Sequence, residues 1–285
     1  MLKHSYSFEA FGTQWAIETD EEISSSLRTT IQNRIDAFDA VYSRFRTYSL
    51  VTKISEKAGK YLFPDDANKL FHFYKNLYDL TNGKVTPLIG DMVSRAGYDA
   101  TYSLKPQAQK PIFAWDEALS WDGTTLTTTQ PLILDVGAAG KGYAVDIIAA
   151  ILDDHSFGEY VIDASGDLKH KGPSENLVGL EHPFNPGKVI GAVEVRNRSL
   201  CASASNRRAW GEGMHHIFDP DAMAPTNDIV ATWVIADDAM VADGLATALF
   251  FVDATVLSKN YNFEYVRMRT DGAAEYSPYF EGKLF

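Results

Sequence analysis

Leu132-Ile133-Leu134-Asp135-Val136-Gly137-Ala138-Ala139-Gly140-Lys141-Gly142 is the stretch on which the fold reading turns. A short apolar run enters a turn with three glycines. A helical pattern then begins near Tyr143, with Val145, Ile148, Ile151 and Leu152 on one side. The order reads as buried strand, tight turn, helix. Glycines at these positions let the backbone approach a neighbour or a ligand closely. The Gly-x-x-Gly-Lys-Gly spacing is neither a P-loop nor a dinucleotide fingerprint. The turn therefore keeps two readings: a structural bend, or a cradle for an anion with Lys141 facing it.

Outward from this turn, helices and strands alternate irregularly. Residues 6–18 read as one strand kinked at Phe11-Gly12-Thr13. Ile23, Leu27, Ile31, Ile35, Phe38, Val41 and Tyr42 recur at helical spacing, and a second helix is predicted over 66–80, stopping at Asn82-Gly83. Downstream, the strand Tyr160-Val161-Ile162 leads to Ala164-Ser165-Gly166-Asp167. Strands follow at 189–195 and 229–235. Asp238 is placed to cap the next helix, and a hairpin is expected around Asp271-Gly272. Mixed elements without strict alternation define an α+β class. No Pro/Gly/Ser-rich linker divides residues 1–285, so one compact unit, with or without two lobes, is expected.

The composition narrows the partners. A formal charge of −12 over 285 residues argues against nucleic acid, which wants clustered Lys and Arg. It also means that a phosphate-bearing ligand needs local compensation from a metal or from helix N-termini. Cys201 is the single cysteine, which excludes an internal disulfide and a Cys-based zinc site. No run of about 18 apolar residues suggests a membrane span. The first residues lack the apolar core of a signal peptide and a lipid-attachment cysteine, so a cytoplasmic location is expected.

Two short segments carry chemistry. Ala242-Asp243-Gly244-Leu245-Ala246-Thr247-Ala248-Leu249 places a carboxylate and a hydroxyl four residues apart in a helix-forming run. Positions i and i+4 share one face, so Asp243 and Thr247 offer two hard oxygens to one point, which suits Mg²⁺. A buried Asp–Thr hydrogen bond or a solvated face answers to the same spacing. His215-His216-Ile217-Phe218-Asp219-Pro220 suggests a strand end entering a turn. Histidine is the usual acid–base side chain near neutral pH, packing is the alternative role, and an Asp before Pro commonly caps its turn.

Taken in order, these blocks resemble the ApbE family, the FAD:protein FMN transferases. The resemblance rests on Phe11-Gly12-Thr13, Ser43-Arg44-Phe45-Arg46 with Ser49, Leu134 to Gly137 through Lys141 to Asp146, and Ser165-Gly166-Asp167. It continues with His216-Ile217-Phe218-Asp219-Pro220 and Ala242 to Thr247. It implies an ApbE-like, T-fold-related architecture of mixed sheets with packed helices. It also implies a reaction: FAD is split, FMN passes to a Thr or Ser hydroxyl of a flavoprotein with a Ser/Thr-Gly-Ala-Thr-like segment, and AMP leaves. Mg²⁺ would be held by Asp243, Thr247 and the carbonyl of Ala138. FAD would lie along Phe11, Phe45, Lys84, Val85, Thr86, Asp135, Lys141, Gly166, Asp167 and Ala231. His216 takes the position of the base.

The sequence departs from the family pattern at three places. Thr86 stands where an Asp is usual, Asp219-Pro220-Asp221-Ala222-Met223 replaces Asp-Pro-Arg-Thr-Gly, and the Cys201 to Ser205 loop lacks Gly-Asp. Pro87-Leu88-Ile89-Gly90 and Gly97-Tyr98-Asp99 suggest a divergent branch. Two other outcomes use the same residues: transfer to water, giving FMN and AMP, or FAD binding without catalysis.

Overall fold

The computed structural model describes residues 2–285. The chain divides into two units. The first contains residues 1–35, 141–206 and 227–285; the second contains 36–140 and 207–226. Among the described residues, no helix is long and apolar enough to cross a membrane.

The first unit is built on an eight-stranded sheet. Its strands are His4–Ala10, Thr13–Thr19, Tyr160–Asp163, Asp167–Lys171, Ser199–Ala204, Ile229–Ala236, Glu264–Arg269 and Ala274–Tyr276, adjacent in that order. Every pairing is antiparallel. Ile229–Ala236 is buried along its whole length, as expected for a strand covered on both faces. On one face Ala231, Trp233 and Ile235 join an apolar cluster with Leu180, Val193 and Leu200. On the other, the Thr232 hydroxyl donates to the Ala246 carbonyl at 2.6 Å, which places the helix Ala239–Ala248 there.

The start of the chain differs from the single kinked strand expected. His4–Ala10 and Thr13–Thr19 form a hairpin, with Ala10 opposite Thr13. Phe11 and Gly12 both have positive φ, 52° and 73°, as a two-residue hairpin turn with the right twist requires. The same device recurs at Ser165-Gly166, with φ of 56° and 110°, between Tyr160–Asp163 and Asp167–Lys171.

The second unit holds the helices Leu50–Glu56, Ala67–Leu80 and Gly90–Arg95, and a three-stranded antiparallel sheet of Lys60–Leu62, Thr125–Thr128 and Leu119–Trp121. The helix predicted over 66–80 is present as Ala67–Leu80. Asn82 and Gly83 end it with φ of 50° and 84°. Leu132-Ile133-Leu134 is not a strand, contrary to expectation. It joins no ladder, and the amides at its start and just beyond its end instead bond to carbonyls far off in the sequence. Leu132 N–H donates to the Ile54 carbonyl at 3.2 Å, and Asp135 N–H to the Pro87 carbonyl at 2.8 Å. Leu132 and Leu134 are buried, so the apolar reading was right and the sheet inference was not. An apolar run of this length does not distinguish a strand from any other buried extended segment.

Candidate functional site

In the first unit the site begins with a close approach of two helices. The helix Gly140–Asp154 meets Ala239–Ala248 at Gly142, where a Cβ would lie 2.3 Å from the Ala239 carbonyl oxygen and 2.7 Å from Asp243 Cβ. Only glycine permits that approach. It lets Gly142 N–H donate to Asp243 Oδ2 at 2.9 Å. Asp243 is thus a buried carboxylate fixed by an amide from a helix N-terminus, where orphan N–H groups and the dipole favour negative charge. One turn on, the Thr247 hydroxyl lies 3.4 Å from that of Ser203.

The expected cap of the Ala239–Ala248 helix is corrected. Asp238 stands at the N-cap without a capping side-chain bond. Asp146, from the middle of Gly140–Asp154, does that work: its carboxylate accepts from Ala239 N–H at 3.0 Å and Met240 N–H at 2.9 Å, and pairs with Lys169 at 2.8 Å.

Four of the predicted FAD residues cluster beside this helix pair. Lys141 Nζ donates to the carbonyls of Ala164 at 3.0 Å and Ser165 at 3.3 Å, and lies 3.3 Å from Asp167. It is therefore neither a loose surface charge nor an uncommitted cation. Gly166 sits in that turn, and its carbonyl accepts from Ala202 N–H. The Ser165 hydroxyl donates to the Gln14 carbonyl at 2.7 Å, which draws in the hairpin carrying Phe11. Phe11 packs edge-on to Trp15 at 5.7 Å. Ala231 does not offer its side chain, which is in the apolar cluster. Cys201 is buried, as expected, and burial followed by the charges of Asp167 and Asp243 raises its pKa.

The second unit gathers the remaining candidates. Asp135 pairs with Arg44 Nε at 2.6 Å and accepts from Gly137 N–H at 2.7 Å. Burial resists its ionisation, but Arg44, the Gly137 amide and Arg208 outweigh it and lower its pKa. Ala138 is half-buried in the same turn. Val85 is buried, its N–H donating to the Thr81 hydroxyl. Thr86 uses its hydroxyl to accept from Leu88 N–H and cap a short 3₁₀ turn. Lys84 is clasped by Asp219 at 2.5 Å and Asp221 at 2.7 Å. Asp219 also accepts from the N–H groups of Asp221 and Ala222, the turn cap expected of an Asp before Pro. Asp221, in the replaced segment, thus gains a partner.

His216 and His215 play different parts. His215 is buried, with Nε2 2.8 Å from the Thr226 carbonyl and Nδ1 accepting from Ile217 N–H. His216 is half-buried, and its Nδ1 has no hydrogen-bond partner. Desolvation, then the positive charge of Arg208 and the neighbouring His215, push its pKa down to about 3. The Asp135 carboxylate and a hydrogen bond to the Arg208 backbone oppose this only in part. Sequence reasoning missed Arg208 and Asp146 as contributors. Asp146 closes the quoted run from Lys141, but no local spacing signalled its contact with a helix 93 residues on, and none signalled Arg208.

The fold is shared with solved proteins of one kind. The ApbE protein of Thermotoga maritima superposes with a TM-score of 0.86 at 21% identity, covering 98% of this chain and 99% of that one. The flavin transferase ApbE of Vibrio cholerae gives 0.78 at 19% identity, covering 96% of each chain. A family model described as the ApbE family matches residues 11–264, and the chain belongs to that family. A relative from Escherichia coli K12, named FAD:protein FMN transferase, is 23% identical over 302 aligned positions, spanning 97% of this chain and 84% of its own. Another of that name from Vibrio cholerae is 24% identical over 250, spanning 79% and 73%.

Proposed function

We propose that this chain is an Mg²⁺-dependent FAD:protein FMN transferase, moving the FMN half of FAD onto a Ser or Thr hydroxyl of a flavoprotein and releasing AMP. The observation that carries the proposal is Asp243: a buried carboxylate held by Gly142 N–H, with the Thr247 hydroxyl one turn further on the same helix. Among the described residues no group of three or more His, Cys, Asp or Glu is arranged to hold a metal. One carboxylate with a neutral hydroxyl oxygen is a hard donor set of the kind that suits Mg²⁺, which keeps positions for water and phosphate. Asp243 supplies the charge and Thr247 a neutral oxygen. The Ala138 carbonyl belongs to the second unit, and its part rests on the family resemblance. When bound, the ion would neutralise charge on the diphosphate oxygens.

The chain's own groups account for the rest. The acceptor hydroxyl needs a base, and His216 offers a neutral ring with an unpartnered Nδ1. The acceptor oxygen forms its bond to the FMN phosphorus, the bond from that phosphorus to the AMP oxygen breaks, and the hydroxyl proton goes to His216. Lys141, the Ser165-Gly166 turn and Asp167 support the dinucleotide from the first unit. Asp135, with Arg44, orders the glycine turn in the second.

The test is incubation with FAD, Mg²⁺ and an acceptor bearing a Ser/Thr-Gly-Ala-Thr-like segment, followed by a denaturing gel viewed for flavin fluorescence. A fluorescent acceptor band supports transfer. AMP without the band means that water is the nucleophile, and no product at all reduces the protein to a flavin binder.

A further inference from the structure

Gly97-Tyr98-Asp99 has no part in the reaction described above, yet the structure builds a rigid device on it. Gly97 has φ of 103°, and a Cβ there would lie 2.7 Å from the Leu104 carbonyl carbon. Leu104 N–H returns to the Gly97 carbonyl at 2.9 Å. Within this loop the Asp99 carboxylate accepts from Thr101 N–H at 2.8 Å, Ser103 N–H at 3.1 Å and both hydroxyls. Those bonds hold Asp99 well below the usual carboxylate range, the Ser103 hydroxyl first among them.

The loop presents one ring. Tyr102 is held at φ of 52°, a conformation that bulky residues seldom adopt and that collects at functional sites. Its ring lies flat on Phe45, centroids 5.2 Å apart and planes within 10°. Tyr98 meets both edge-on, at 5.5 and 5.4 Å, and itself stacks on Trp210. The Arg44 guanidinium lies 4.2 Å from the Phe45 centroid. Despite this support, Tyr102 remains 53% exposed. A strained backbone, a wired loop and a braced stack thus hold an aromatic ring half in water.

We infer that Tyr102 is a ring-binding residue, presenting the outer face of this stack to the isoalloxazine of FAD. The inference rests on the FAD reading given above. An electron-rich phenol backed by a second ring favours a large, electron-poor planar partner, and isoalloxazine meets that description better than adenine. Preorganisation reduces the ordering cost of binding.

The test is titration of the full-length chain with FAD, FMN and ADP in Mg²⁺, followed by flavin fluorescence and calorimetry, with thermal melts to establish that each variant is folded. Tyr102→Ala should weaken FAD and FMN about 10–100-fold, the range for losing one aromatic stacking partner, and leave ADP unchanged. Tyr102→Phe should keep the affinity but lose part of the fluorescence quenching that a phenol ring causes. Unchanged FAD affinity in Tyr102→Ala overturns the assignment. So does tighter binding, which would make the ring a lid, and so does a loss for ADP but not FMN, which would mean adenine. Wild-type protein that binds no FAD overturns the FAD reading and this inference together, whereas the other results leave that reading standing.

Discussion

A histidine that takes a proton from an incoming hydroxyl has to be neutral when the hydroxyl arrives. Desolvation and the cationic Arg208 achieve this for His216, with a pKa of about 3 against an ordinary 6.5. The acid limb of kcat/KM reports the base in the free enzyme. It should therefore fall well below pH 6.5, and Arg208→Gln should move it upward. An acid limb at 6.5 or above in the wild type would remove His216 from the role. His216→Ala should lower kcat by about 10²–10⁴, the usual contribution of a general base, while FAD affinity is kept. An equal loss in binding would recast it as a ligand contact. At Asp243 the expected split differs. Asp243→Ala should cost about 10²–10³ in kcat or more, the scale of losing a charge-stabilising group, together with the Mg²⁺ dependence of what remains. Turnover with an unchanged Mg²⁺ response would refute the metal assignment.

Between helices, the fit at Gly142 governs whether Asp243 is held at all. Gly142→Ala would place a methyl group against the Ala239 carbonyl, so the two helices must part. Overpacking of this kind costs about 1–3 kcal/mol, and the Gly142–Asp243 bond is lost with it. The expected result is a lower melting temperature and a raised Mg²⁺ requirement; a variant with both unchanged would show that the approach is not needed. Asp146→Ala removes the remote cap of the Ala239–Ala248 helix and should cost about 1 kcal/mol, read as a shifted denaturation midpoint. These dependencies explain which features the sequence disclosed. Helical periodicity located Ser25–Tyr42 and Ala67–Leu80, and the apolar run around Asp243 and Thr247 placed the pair on one helix. The Asp146 cap is a contact 93 residues distant in sequence, and no local pattern encodes such a pairing. The hairpin at Phe11-Gly12 was misread because Phe, unlike Asn or Asp, is not a usual residue for positive φ. The split of the predicted site residues between two units was not legible either: the boundary falls at Gly140/Lys141, inside the glycine turn, where no change of composition marks it.

Over the whole molecule, acidification sets two effects of opposite sign against each other. The chain carries a formal charge of −12, and adding protons relieves self-repulsion, which on its own would stabilise the fold. Against this stand three histidines whose folded-state pKa lies below the unfolded value: His170, His215 and His216, each lowered mainly by burial. For such groups the unfolded chain binds more protons between the two pKa values, so stability rises with pH across that window and is lost as pH falls through about 6.5. For His216 alone the loss from pH 6.5 to 5 is roughly 2 kcal/mol, at about 1.4 kcal/mol per pH unit per proton. The lowered carboxylates Asp135 and Asp219 have the same sign but act only as pH falls through about 4. The interval from 7 to 5 thus isolates the histidines. Denaturant midpoints should fall across it, and the slope should flatten in Arg208→Gln, where the cation opposing His216 protonation is gone. An equal slope in the wild type and in Arg208→Gln would mean that Arg208 does not oppose protonation of His216 in the folded protein, and the assignment as a neutral base would fail on equilibrium grounds before any rate was measured.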